Sequence, residues 1–277
     1  MQLTQKKSRR GDLLTAAAVA MLLAVMAALL YAGSLTRQVT NMLIPTAVYI
    51  VMAVSLNLVV GLLGELSLGH AGFMSVGLFS GCLVAIALTN TALPLMVRLP
   101  VSMLAGGLTA AVFGLLVGLP TLRLRGDYLA IVTLACGEII KNIITNLRVT
   151  GGALGLNTSA IYAGAKELLP YGAALVLLTV AVMLNLKRSK YGRAIMAIRD
   201  NRIAAESVGL SVTRYKLAVF VIAAFFAGCA GVLYGHSLAN IKAAAFDYNM
   251  SIEILVIVVL GGMGSVPGSV VSAIVLT

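Results

Sequence analysis

Apolar residues dominate this chain in long unbroken runs, and the polar positions fall between them. From Leu13 to Thr36 there is no charged residue. Similar runs follow, and the pattern predicts spans at about 13–33, 39–61, 73–90, 101–120, 128–147, 168–186 and 215–238, with a broken segment over 251–277. A helix of about 20 residues crosses the roughly 30 Å hydrocarbon core of a bilayer. The runs are rich in Ala, Leu and Val and lack the ten-residue alternation of a membrane β-barrel. The expected fold is all-α: a polytopic transmembrane helix bundle in one domain, 1–277, with its spans between 12 and 277.

Two runs are interrupted by glycine. One break reads Gly61-Leu62-Leu63-Gly64-Glu65-Leu66-Ser67-Leu68-Gly69-His70-Ala71-Gly72, and the other Gly261-Gly262-Met263-Gly264-Ser265-Val266-Pro267-Gly268. Backbone freed by such breaks must face protein or a wet cavity, because lipid satisfies none of it. Paired breaks in the two halves of a chain point to an inverted repeat around a midplane transport site. Ordinary loops joining spans fit the same residues. Ser67 and His70 are candidates to line a path, although a lone histidine also serves as a packing residue.

Composition supports the membrane reading. Of 277 residues 60% are hydrophobic and 10% charged, with a mean hydropathy of +1.03, whereas about 25% charge is usual for a soluble chain. The net charge of +11 is explained by topology. With the N-terminus inside, the inner loops hold fourteen basic residues: Lys6, Lys7, Arg9 and Arg10, then Arg123 and Arg125, then eight from Lys187 to Lys216. The outer loops hold five, and this is the asymmetry expected of cytoplasmic loops. The N-terminal run is longer than a signal peptide's apolar region, so an uncleaved first helix is expected. No basic face with interleaved aromatics appears, so nucleic acid is not an expected partner. The chain stops within an apolar run at Thr277, from which we expect the natural protein to run on.

Little of the sequence carries bond-making chemistry. Cys82, Cys136 and Cys229 lie in apolar runs without metal spacing. There is no phosphate-binding Gly-x-x-x-x-Gly-Lys-[Ser/Thr] and no HExxH. No enzymatic site, metal or cofactor is expected. Glu138 and Lys141 share one helix face inside a span. Charges at that depth are costly and should turn into the bundle. A structural ion pair and a coupling-ion site of a gradient-driven transporter both fit them. Gly77/Gly81, Gly114/Gly118 and Gly231/Gly235 read as close helix contacts.

The loop 187–214 is the most informative segment. Asp200 or Asn201 suits an N-cap, Ala204, Ala205 and Glu206 form helix readily, and Gly209 suits a C-cap. A short helix, 201–208, should therefore lie in a basic loop, resting on the membrane or in a partner's groove.

This loop, Ser189 to Leu210, resembles the ATPase-coupling loop of ABC-importer permeases for branched-chain amino acids. Further segments match that family in order, from about residue 40 to the end. They are Gly64-Glu65-Leu66-Ser67-Leu68-Gly69-His70-Ala71-Gly72-Phe73, Asp127 to Leu134, Glu138-Ile139-Ile140, Thr150-Gly151-Gly152 through Leu156, and Leu260 to Ser265. The Tyr128 segment and the Arg199-Asp200-Asn201 loop resemble the family's LivM-like type. Ala153-Leu154 departs from the more polar pair expected after the two glycines. The resemblance implies a coupling set of Arg199, Asp200, Asn201, Ala204, Ala205, Glu206 and Gly209. It implies path candidates at Ser67, Gly69, His70, Glu138, Gly151, Gly152 and Gly262. It also implies a second permease, two cytoplasmic ABC ATPases, an extracytoplasmic binding protein, and a place in a bacterial cytoplasmic (inner) membrane with the N-terminus inside. Amino acids, urea and short amides all remain open as cargo.

Overall fold

A computed structural model describes the chain except residues 1, 34–35, 90–93, 123 and 125, and except the side chains of residues 2–16 and 127. The helices are α1 Gln2–Tyr31, α2 Arg37–Asn57, α3 His70–Thr89, α4 Leu95–Thr121, α5 Asp127–Asn146, α6 Ala165–Arg188, α7 Lys190–Asp200, α8 Arg202–Ser207, α9 Val212–His236, α10 Tyr248–Leu260 and α11 Val266–Leu276. A π-helical turn, Leu58–Leu63, prolongs α2. Among the described residues seven helices are long and apolar enough to cross a membrane. Six of them match the expected spans from 39–61 to 215–238, and the seventh, Ala243–Leu260, overlaps the first part of the broken segment 251–277. The first expected span is described in part, and the basic residues Lys6, Lys7, Arg9, Arg10, Arg123 and Arg125 lie outside the described residues or side chains.

Small residues set the centre of the bundle, where α3, α4 and α9 pack together. A Cβ on Gly77 would overlap the Gly228 backbone, and one on Gly231 would overlap the Met74 carbonyl. Gly81, Gly114, Gly118 and Gly235 are packed as tightly. Glycine lets helix backbones approach where apolar burial supplies no net drive between helices in lipid. Phe73 meets Phe220 edge to face at 5.3 Å beside this seam.

The loops sort into two ends. At one, the Tyr31 hydroxyl donates to the Lys166 carbonyl, and β1 (Leu156–Asn157) pairs antiparallel with β2 (Asn240–Ile241). At the other end, the 187–216 segment meets both glycine breaks. Strict alternation of spans requires this division.

Two features add to the expected arrangement. α2 and α10 run parallel, with Tyr49 bonded to Glu253 and Asn57 to residues 264 and 265. Their breaks therefore meet at one end. The loop also holds two helices rather than one. Ser189 caps α7 by accepting from the Gly192 N–H at 3.0 Å, and Ile195 and Ile198 bury its inner side. The basic residues at 190, 193 and 199 form its exposed side, opposite Ile195 and Ile198.

Candidate coupling face and glycine breaks

The basic end is built from α7 and α8. Asn201, with extended backbone, separates them, and its Oδ1 accepts from the Ala204 N–H at 3.0 Å. Gly209 adopts φ +85°, and its N–H and that of Leu210 return to the Glu206 and Ala205 carbonyls. Both expected caps are therefore in place. Ala205 packs with Ile198 and Val212, which fixes α8 to its neighbours. Ile203 and Val208 point away from the chain, 81% and 75% exposed. Glu206 pairs with Arg202 one turn away. What α8 offers outward is thus two apolar side chains on a charged surface.

Arg199 keeps 41% of its side chain exposed but turns one guanidinium nitrogen inward. It donates to the Gly61 carbonyl at 3.0 Å and, through its other nitrogens, to Asp200 Oδ1 at 3.0 and 3.1 Å. Its stem lies over Gly64 (φ +77°), where a Cβ would sit 2.5 Å from Arg199 Cγ. Lys187 donates to the Gly264 carbonyl at 2.9 Å. Lys216, buried at the start of α9, pairs with Glu65. A cleft of about 450 Å³ opens among Gly64, Glu65, Arg199, Arg202 and Lys216.

Asn57 joins the two breaks. Its Oδ1 accepts from the Gly264 N–H at 2.7 Å, and its Nδ2 donates to the Ser265 carbonyl at 3.0 Å and to Ser269 Oγ at 2.8 Å. Gly61 leaves room for this: a Cβ there would collide with the Asn57 amide and the Gly264 backbone. Buried amides need such partners, since an unpaired one costs about 1–3 kcal/mol.

The path candidates fall in three places. Ser67, Gly69 and His70 form a strip laid across three helices. The Leu68 N–H donates to Thr133 Oγ1 (3.1 Å), His70 Nε2 lies 2.8 Å from Ser55 Oγ, and the Ala71 N–H donates to Ser251 Oγ (3.3 Å). His70 is enclosed, as a packing residue would be. Ser67 Oγ is buried and has no partner among the described residues. Glu138 pairs with Lys141 and accepts from the Tyr248 N–H at 2.9 Å, holding α10 against α5. Both side chains keep partial exposure, so the pair lies at the edge of the bundle rather than inside it. Gly151 and Gly152, in left-handed conformations at φ +79° and +59°, turn the chain at the opposite end. Gly262 turns the chain between α10 and α11.

Residues 38–277 match a family described as "Branched-chain amino acid transport system / permease component". The chain belongs to this family. It is 37% identical to the high-affinity branched-chain amino acid transport permease LivM of Salmonella typhimurium, over 83% of this chain and 60% of that protein. With LivM of Escherichia coli K12 it shares 38% over the same shares. The E. coli LivH permease matches at 30% over 35% of this chain and 31% of its own length. The chain spans about 60% of the length of the LivM relatives. No solved structure matches it.

Both breaks and the α7–α8 face fall within the residues matched to the permease family, and the chain is a multi-pass membrane protein. Asn57 and Lys216 were missed in the sequence. Asn57 is a polar group inside an apolar run, and that was its available signal, whereas Lys216, close behind Arg214, reads as one more basic residue of the loop.

Proposed function

We propose that this chain is the membrane-spanning permease subunit of an ATP-driven importer that carries branched-chain or related amino acids. The observation that carries the reading is α8: a capped helix, fixed from behind by Ala205, that presents Ile203 and Val208 outward. Exposed apolar residues at the end of a membrane bundle fit a groove on a soluble partner. We take that partner to be a cytoplasmic ATPase, as the loop's resemblance to the coupling loop of ABC-importer permeases implies.

The working unit is then two permeases, two ATPases and an extracytoplasmic binding protein, in a bacterial cytoplasmic membrane with the chain's N-terminus inside. Closure of the ATPase pair on ATP pushes α8, and the spans flanking it tilt. A path between the permeases opens toward the binding protein, and hydrolysis resets it. The Glu138 edge is offered to that path, and Ser67 and His70, buried in this subunit, reach it only when the flanking spans tilt. Cargo need be held only weakly here, because selection can reside in the binding protein.

Purification of the tagged chain from native membranes in mild detergent tests the assembly. A phosphate-loop ATPase and a second permease in near-equal amounts are expected. A lone chain across several mild detergents would refute the reading. Uptake of labelled leucine against urea by the purified complex in liposomes then decides the cargo.

A further inference from the structure

In the proposed importer, a push on α8 must become a movement of the membrane helices. Contacts that join α7 and α8 to the breaks are therefore where the force is passed on. α2 and its π-helical turn end at Gly64, where the chain leaves helical geometry and runs extended to His70. α10 ends at Gly261 in the same neighbourhood. Helix ends carry unpaired carbonyls and partial negative charge, and cations are favourable there. Two basic residues of the loop segment supply them: Arg199 reaches the Gly61 carbonyl and Lys187 the Gly264 carbonyl. Asn57 bonds the two breaks to each other, so they are held as one body.

Of the two cations Arg199 has the geometry of a link. It sits at the last turn of α7, three residues before α8 begins, so displacement of α8 acts on it directly. Asp200 holds two guanidinium nitrogens while a third holds the Gly61 carbonyl. A planar guanidinium satisfies both partners at once, and a single ammonium does not. Its stem lies against Gly64, so Arg199 cannot move toward the break without moving the backbone.

We infer that Arg199 is a positioning residue that transmits movement of α8 to the Gly61 break, and that it is not itself part of the surface that docks the ATPase. This rests on the importer reading and assigns Arg199 a different task from the outward residues of α8.

The test uses the purified full complex in liposomes, with binding protein and leucine inside or outside as the assay requires. ATP hydrolysis and leucine uptake are measured together. Arg199→Gln should keep its ATPases and continue to hydrolyse ATP, while uptake per ATP falls roughly tenfold or more, the scale of one lost charged hydrogen bond. Arg199→Lys should lie between the two. Gly64→Ala, which drives the Arg199 stem aside, should reproduce the loss. The Arg199→Gln/Gly64→Ala double variant should be no worse than Arg199→Gln. An uptake-to-hydrolysis ratio equal to wild type in Arg199→Gln overturns the inference. So does loss of the ATPases from that variant, which would place Arg199 in the docking contact. Should Arg199→Gln fail to fold, the ratio in Arg199→Lys decides by the same criterion. A wild-type chain that retains no ATPase would overturn the importer reading, and this inference with it; a normal ratio in Arg199→Gln overturns this inference alone.

Discussion

At the scale of single residues, Asn57 has the most partners to lose. Replacing it with Ala strands the Gly264 N–H between α2 and α11 and takes a donor from Ser269 Oγ, while the Ser265 carbonyl keeps the Ser269 N–H. A stranded group costs about 1–3 kcal/mol. Asn57→Ala should therefore unfold at measurably lower temperature in detergent, as followed by tryptophan-free far-ultraviolet circular dichroism. An unchanged midpoint would mean that water or backbone movement satisfies that group. Gly77 makes the opposite prediction, of excess rather than loss. Gly77→Val puts a branched side chain where the Gly228 backbone lies, and overpacking of this kind costs about 1–3 kcal/mol even when the neighbours give way. A monodisperse, normally stable Gly77→Val protein would show that α3 and α9 are free to separate.

The elements divide by how local their causes are. The span from α2 onward could be read because lipid demands long apolar helices, and any helix obeys that rule alone. α8 could be read because its caps, Asn201 and Gly209, lie next to it in the chain. α7 carries a local signal too, Ile195 and Ile198 three apart among basic residues, but the sequence does not say that this face packs on the bundle. The glycines of both breaks were legible, yet their meeting was not: residues 57 and 264 are joined by packing, which no local pattern encodes. The candidate site suffered the same limit. Gly151 and Gly152 share a family motif with the rest, and the fold sets them at the other end. At this scale the prediction concerns α8. Ala204→Pro removes the N–H that Asn201 captures and disfavours the helical conformation of Ile203 before it. Membrane insertion should persist while ATP-driven uptake of leucine is lost. Undiminished uptake would remove α8 from the mechanism.

For the whole molecule the open question is which end faces the cytoplasm, and the arrangement of charge gives an answer that can be checked. All eight basic residues from Lys187 to Lys216 sit with the glycine breaks at one end, opposite the β1–β2 end. Basic loops are retained on the cytoplasmic side. Moving one positive charge outward against the membrane potential costs about 2.3 kcal/mol per 100 mV, so a loop with eight of them is strongly held inside. Val208 and Tyr162 are exposed at these two ends, in the α7–α9 segment and in the stretch between β1 and α6. Of the native thiols, Cys82 and Cys229 are buried and Cys136 is half-buried, so Cys136→Ala gives a quiet background. On it, Tyr162→Cys should react with an impermeant maleimide applied to intact spheroplasts, and Val208→Cys should react only once the membrane is opened. The reverse pattern would turn the bundle over, placing α8 where no cytoplasmic ATPase could reach it, and the importer mechanism would fall with it. Reaction of both from outside would deny that the two loops lie at opposite ends at all.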